Sequence, residues 1–319
     1  MTSTTDGRGP LLAFEHEALI FRGPDELLAA ALPFLQAGLE AGDPTLVATP
    51  EDHLTAIRDR LGPVDAERIT FLDMKEVGGN PARIIAIWQD FISRSSAPGV
   101  TPRGIGEPAW PGRSDAELVE CEHHEALLNV AFAGSPPWRL LCPYDAEALP
   151  PEAIRAAERT HPLLTDHRGH DVNRSWPGLA TMARPNTASL SAPPATALEL
   201  PFSAADLREV RHLVAEVARG GGLTPTRAED LALAAHEMAA NSIRHGGGSG
   251  LLRAWLQDDT AMAEVSDAGQ IDDALVGRRQ PDPDLVGGRG VWMAHQLCDL
   301  VQVRRTPSGT TVRLHQRRS

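Results

Sequence analysis

Cysteine is scarce: Cys121, Cys142 and Cys298 are the three in 319 residues, too few and too scattered for a disulfide framework. They form no CxxC pair, so they read as buried reduced thiols rather than metal ligands. No uncharged apolar stretch comes near the roughly 18 residues that a membrane-spanning helix needs. The opening "MTSTTDGRGP" has no apolar core behind a basic start, so no secretory signal is expected and the chain reads as cytoplasmic. A basic excess is absent as well. Lys and Arg number 30 against 43 Asp and Glu, a net charge of −13, whereas a duplex-DNA reader normally presents a basic face. Direct nucleic-acid and membrane partners are therefore not expected. There is no internal repeat of solenoid period and no GxxxxGK[ST] phosphate loop.

What is present is an ordinary globular composition, 42% hydrophobic and 23% charged, over a length that allows two cores. Pro, Ser, Thr and Ala crowd residues 184–197, "RPNTASLSAPPATA", the composition of an extended, solvated linker. The expected organisation is residues 1–183, a linker at 184–197, and residues 198–319. In the first part helical segments alternate with short buried strands, "TLVAT", "RITFLD", "RGIGEP" and "WRLLCPYD". Strands separated by helices pair in parallel through crossovers, which predicts a doubly wound, mostly parallel α/β domain. The second part has two long helices, then "GLLRAWLQDD" and "TAMAEVSDAG" joined at an Asp-Asp turn. A further helix, "GVWMAHQLCD", and a closing hairpin follow. Adjacent strands on short turns pair antiparallel, so this part is an α/β sandwich of another kind.

One helical stretch, "HEMAANSIRH", sets Glu237 four residues before Asn241. That spacing stacks the two side chains on one face, about 6 Å apart along the axis. Small apolar neighbours such as Ala234 and Ala240 make the carboxylate a candidate general base, and an amide oxygen suits Mg²⁺. By itself the pair is equally a polar stripe on a solvated helix. The zinc pattern HExxH is excluded, because position 240 is Ala240. The elements downstream decide between these. "VSDAG" ends a strand on Asp267, whose carboxylate can accept from an exocyclic amine such as that of adenine, and Gly269 leaves room for a flat ring. "VGGRGVWM" puts Gly287, Gly288 and Gly290 before a helix, where backbone N–H groups can meet phosphate. "GTTV" opens the last strand with Thr310 and Thr311.

In this order, "HEMAAN", "SDAG", "GGRGVWM" and "SGTTVRL" resemble the N box and the three glycine boxes of the GHKL ATPases, over roughly residues 198–317. The short gap between the first two glycine boxes, with no phospho-acceptor histidine helix before them, is similar to the anti-sigma-factor serine kinases of RsbW type. The resemblance implies a Bergerat α/β sandwich binding ATP and Mg²⁺, with Glu237 as catalytic base and Asn241 as Mg²⁺ ligand. Asp267 would contact adenine, Gly269, Gly288 and Gly290 would shape pocket and lid, and Thr310 would support the base site. Where the family usually has a second glycine, this chain has Ile271, which restricts backbone approach.

"HEALIFRGPDEL", "AGDPTLVAT", "GEPAW", "HEALLNVAF" and "LLCPYD" resemble the MEDS sensory domain, a layout like that of P-loop folds but here without a P-loop. Its candidate ligand contacts are His16, Glu107, Trp110, Glu122, His123, His124, Asn129, Tyr144 and Asp145. The spacing of the histidines supports no metal site. The whole then implies an anti-sigma factor and serine kinase under sensory control. Its partners are a sigma factor and an anti-anti-sigma (STAS-type) protein, and the family allows a homodimer. Ile271 favours an alternative, a nucleotide-binding module that sequesters without turnover. A histidine-kinase-like ATPase fits less well, because the linker is too proline-rich for a dimerising hairpin.

Overall fold

The computed structural model describes residues 13–166, 169–184, 186–281 and 288–318; the opening decapeptide and Gly287 lie outside that set. Contacts divide the chain into two compact units, residues 1–78 with 87–183, and residues 79–86 with 184–319.

The first unit runs β1 (Phe14–Phe21), α1 (Gly23–Ala41), β2 (Thr45–Thr49), α2 (Glu51–Leu61), the short α3 (Pro63–Ala66), β3 (Ile69–Asp73) and the short α4 (Met74–Val77). It continues through α5 (Ile84–Ser95), which begins within the segment grouped with the second unit, then β4 (Arg103–Gly106), α6 (Asp115–Ala131) and β5 (Trp138–Asp145). α7 (Pro151–Thr160), β6 (Leu163–Asp166), β7 (Gly169–Val172) and the short α8 (Leu179–Met182) complete it. The seven-stranded sheet has the order β3-β2-β4-β5-β1-β6-β7, parallel throughout except for the β6–β7 pair. This is the mostly parallel α/β domain read from the sequence.

Local chemistry sets the element ends. Pro24 sits in the first turn of α1, and Gly42 closes that helix at φ 74°, where a side chain is disfavoured. Ser114 and Glu117 form a reciprocal capping box at the start of α6. Every residue of β2, "TLVAT", is buried, as a central parallel strand requires. β1 is not among the expected strands, because its "FEHEALIF" sets Glu15, His16 and Glu17 in a row ahead of an apolar run and so shows no strand period. It nonetheless lies inside the sheet, between β5 and β6, with His16 fully buried.

The second unit runs β8 (Leu198–Ser203), α9 (Leu207–Gly220), α10 (Pro225–His245), β9 (Ser249–Gln257), β10 (Thr260–Asp267), α11 (Gly290–Leu297), β11 (Leu300–Thr306) and β12 (Gly309–Arg317). Its five strands are antiparallel in the order β11-β12-β10-β9-β8. Apolar residues of α9, α10 and α11, among them Val214, Leu231, Met238 and Ala294, share one core with Leu252, Val265 and Leu314 of the sheet. This is the expected α/β sandwich. Thr224 caps α10 and Pro225 fills its first position, so the helix that carries Glu237 and Asn241 has a defined start. Asn186 of the linker accepts from the Arg305 backbone N–H at 3.0 Å, and Ser191 accepts from the Arg313 guanidinium at 2.7 Å. The linker therefore lies along β11 and β12 instead of being fully solvated. Among the described residues no helix is long and apolar enough to cross a membrane.

Candidate functional site

The antiparallel register of β10 and β12 places Asp267 directly opposite Thr310. Ser242 of α10 donates its hydroxyl to Asp267 Oδ2 at 2.6 Å, and the Gly269 N–H donates to Oδ1 at 2.7 Å. The carboxylate is thus held from both sides. Thr310 Oγ1 donates to the Gly269 carbonyl at 2.9 Å, which fixes the turn that leaves β10. Asn241, Ser242, Asp267, Gly269, Ile271, Gly288 and Thr310 all line one cavity of about 610 Å³, floored by Val265 and Val312. That volume is ample for a nucleotide-sized ligand.

Glu237 does not line this cavity; it stands one turn away on α10. A Cβ built on Gly290, the first residue of α11, would come within 3.0 Å of Asn241 Nδ2 and 3.2 Å of Glu237 Oε2. The absent side chain leaves the helix N-terminus close against both polar groups. Asn241 Oδ1 accepts from the exposed Arg244 guanidinium at 2.8 Å, so the oxygen read as a Mg²⁺ ligand already faces a cation. Gly288 adopts φ 73° on the approach to α11. The donor set therefore fits a nucleotide and a hard cation: an amide oxygen, a fixed carboxylate, and glycine backbone at a helix start.

The sensory residues fall into two groups. His16, Asn129 and Tyr144 meet in the interior: His16 Nδ1 lies 3.2 Å from Asn129 Oδ1, and the Tyr144 ring is buried beside His161. Glu107 follows β4, and its Oε2 lies 2.8 Å from His53 Nδ1. Burial pushes the Glu107 carboxyl up to about 7, against the pull of His53, with Asp52 and Asp145 adding to the rise. This second group lies beyond the carboxyl ends of the parallel strands, where open α/β sheets bind ligands. Asp145 accepts from the backbone N–H groups of Glu147 and Ala148.

The remaining candidates make contacts within the domain. Trp110 carries the Arg113 guanidinium 3.5 Å above its ring. Glu122 pairs with Arg159 at 2.9 Å, and His123 Nδ1 lies 3.7 Å from Glu120. His124 is buried within α6. His53 and His161 are not signalled by the sequence: His53 lies on α2, far from Glu107 in the chain, and His161 follows α7 with no motif around it. Glu125 stands on α6 beside His124 and one turn before Asn129.

Comparisons with known proteins match a different family model to each half of the chain. Residues 15–162 match the family model described as MEDS, the methanogen/methylotroph DcmR sensory domain. Residues 200–315 match the histidine kinase-like ATPase domain. The chain joins a MEDS domain to a GHKL-like ATPase domain. One similar solved structure is the crystal structure of the RsbU and RsbW domains of Rv1364c from Mycobacterium tuberculosis. It is 23% identical with a TM-score of 0.30, covering 39% of this chain and 33% of that one. The chain therefore spans about a third of the length of that structure. No curated protein matches the chain.

Proposed function

We propose that the ATPase domain binds ATP and Mg²⁺, sequesters a sigma factor, and phosphorylates a serine of an anti-anti-sigma (STAS-type) partner under control of the MEDS domain. The observation that carries this reading is the convergence of Asn241, Asp267, Gly269 and Thr310 on one cavity, with Glu237 and Asn241 against the N-terminus of α11. Bound ATP would supply the transferable phosphoryl group, with Mg²⁺ offsetting its charge. Asp267 and Thr310 select the base, Asn241 holds the metal once Arg244 turns outward, and the start of α11 faces the phosphates. Glu237, beside Asn241 but off the base cavity, orients or deprotonates the serine hydroxyl. Phosphorylated antagonist then releases its hold and the sigma factor stays sequestered. The work is proposed to take place in the cytoplasm.

A second reading, binding without turnover, rests on Ile271, which lines the cavity where the family usually has glycine. Incubation of the full chain with radiolabelled ATP and a STAS-type partner separates the two. Label on the partner that disappears with Glu237→Ala supports the kinase. Nucleotide binding with no label on any partner supports the sequestration module.

A further inference from the structure

The MEDS domain contains a second constellation that the ATP reading leaves unused. His16 of β1, Glu125 of α6, Cys142 of β5 and His161, just after α7, are each at most 1% exposed. One ligand atom from each lies within 4.8 Å of all the others. Glu125 Oε2 is 2.9 Å from His16 Nε2, 3.3 Å from His161 Nε2 and 3.6 Å from Cys142 Sγ, and Sγ is 3.5 Å from His16 Nε2. A tetrahedral zinc, with bonds of about 2.0–2.3 Å, holds its ligand atoms about 3.3–3.6 Å apart.

The hydrogen bonds around the cluster fix which atoms face inward. Asn129 Nδ2 donates to the backbone carbonyls of Glu125 and Thr160, so its Oδ1 accepts and His16 Nδ1 must donate. His161 Nδ1 lies 2.8 Å from the Ala157 carbonyl, which can only accept, so it too carries the proton. In the neutral rings both Nε2 atoms therefore present lone pairs, and both face the same carboxylate oxygen. His161 Nε2 makes no hydrogen bond there. Three lone pairs thus converge on one point, with only the weak S–H of Cys142 directed at Glu125 Oε2, and a cation would engage all four groups.

A divalent ion suits this arrangement, because its charge is cancelled by one carboxylate and one thiolate, leaving a neutral buried site. Metal binding displaces the Cys142 thiol proton to solvent as the S–metal bond forms. The backbone carbonyl behind His161 and the Asn129 amide behind His16 are the ring-orienting partners that metal-bound histidines require.

We propose that His16, Glu125, Cys142 and His161 form a closed four-ligand zinc site that ties β1, β5, α6 and the end of α7 together. With all positions taken by protein, the ion is structural rather than catalytic.

The full-length chain, stripped with chelator and free of nucleotide, is titrated with Co²⁺ and then Zn²⁺. The expected result is one cobalt per chain with a thiolate-to-cobalt charge-transfer band and tetrahedral ligand-field bands, displaced by one equivalent of zinc. Cys142→Ser abolishes the charge-transfer band, while Cys298→Ser, in the other domain, leaves it intact. Asn129→Ala, which removes the acceptor of His16 Nδ1 together with the amide's bonds to the Glu125 and Thr160 carbonyls, weakens zinc binding about 10- to 100-fold. A stripped wild-type chain that keeps its circular-dichroism spectrum but gives no thiolate–cobalt band overturns the proposal. So does a band that survives Cys142→Ser.

Discussion

Replacing Asp267 by asparagine tests the base pocket with almost no change in shape. The native carboxylate accepts from Ser242 Oγ at 2.6 Å and from the Gly269 N–H at 2.7 Å, so each oxygen keeps one lone pair for a ligand. An asparagine keeps the Gly269 bond by turning its oxygen that way, which aims the NH₂ at Ser242 and the cavity. Ser242 then accepts instead of donating, and its proton passes to the Met238 carbonyl, 3.2 Å away. The fold therefore loses little, about 1 kcal/mol. The ligand loses more. A charge-assisted bond to the adenine amine contributes about 1.5–3 kcal/mol, and donor now faces donor, so the Kd for ATP rises about 10- to 100-fold. ADP must weaken by the same factor, because the change lies at the base. Inosine triphosphate, with a carbonyl where adenine has its amine, should gain affinity in the variant. Calorimetry with the three nucleotides reads all of this. Equal effects on ATP and inosine triphosphate would refute the placement of adenine at Asp267.

Two further perturbations probe the frame around each site. Gly309 adopts φ 144°, and a Cβ there would fall 1.8 Å from the Asp267 carbonyl, so Gly309→Ala should cost about 2–3 kcal/mol in denaturant unfolding. A change within about 0.5 kcal/mol would refute that close approach. In the MEDS domain the raised Glu107 value means that its neutral form favours the fold. That stability is fully present below 4.5 and is lost as pH rises through about 7, a fall on the order of 3 kcal/mol. Glu107→Gln, which cannot ionise, should flatten stability against pH across this window. An unchanged slope in chemical denaturation at stepped pH would count against burial as the cause.

The cavity proposed to take ATP was largely legible because its residues are local. Glu237 and Asn241 share one helix face, and the glycines sit beside the turns they shape, so spacing alone placed them. The register that brings Thr310 to Asp267 pairs β10 with β12, which are not neighbours in the chain, so local spacing could not place it. The MEDS interior was not legible in the same way. β1 sets its fully buried histidine directly between Glu15 and Glu17, which reads as surface, and the partners of that histidine lie 109, 126 and 145 residues further along. No window of sequence shows four ligands converging from three elements and a helix end. Polar residues that are buried on both sides of a parallel sheet leave no periodic trace. The linker likewise reads as solvated from its composition, although its backbone and a serine are bonded to the sheet.

Because residues on a strand alternate between faces, a shift of β12 by a single position would turn Thr310 to the other face from the one that supports the Gly269 turn. Length changes in this domain are therefore not interchangeable. Residues added at the Pro307–Ser308 turn can be absorbed by the bend, but one added between Gly309 and Val312 unmakes the base pocket while leaving a perfectly good hairpin. A folded, thermally stable yet nucleotide-blind protein is the natural outcome of such an insertion.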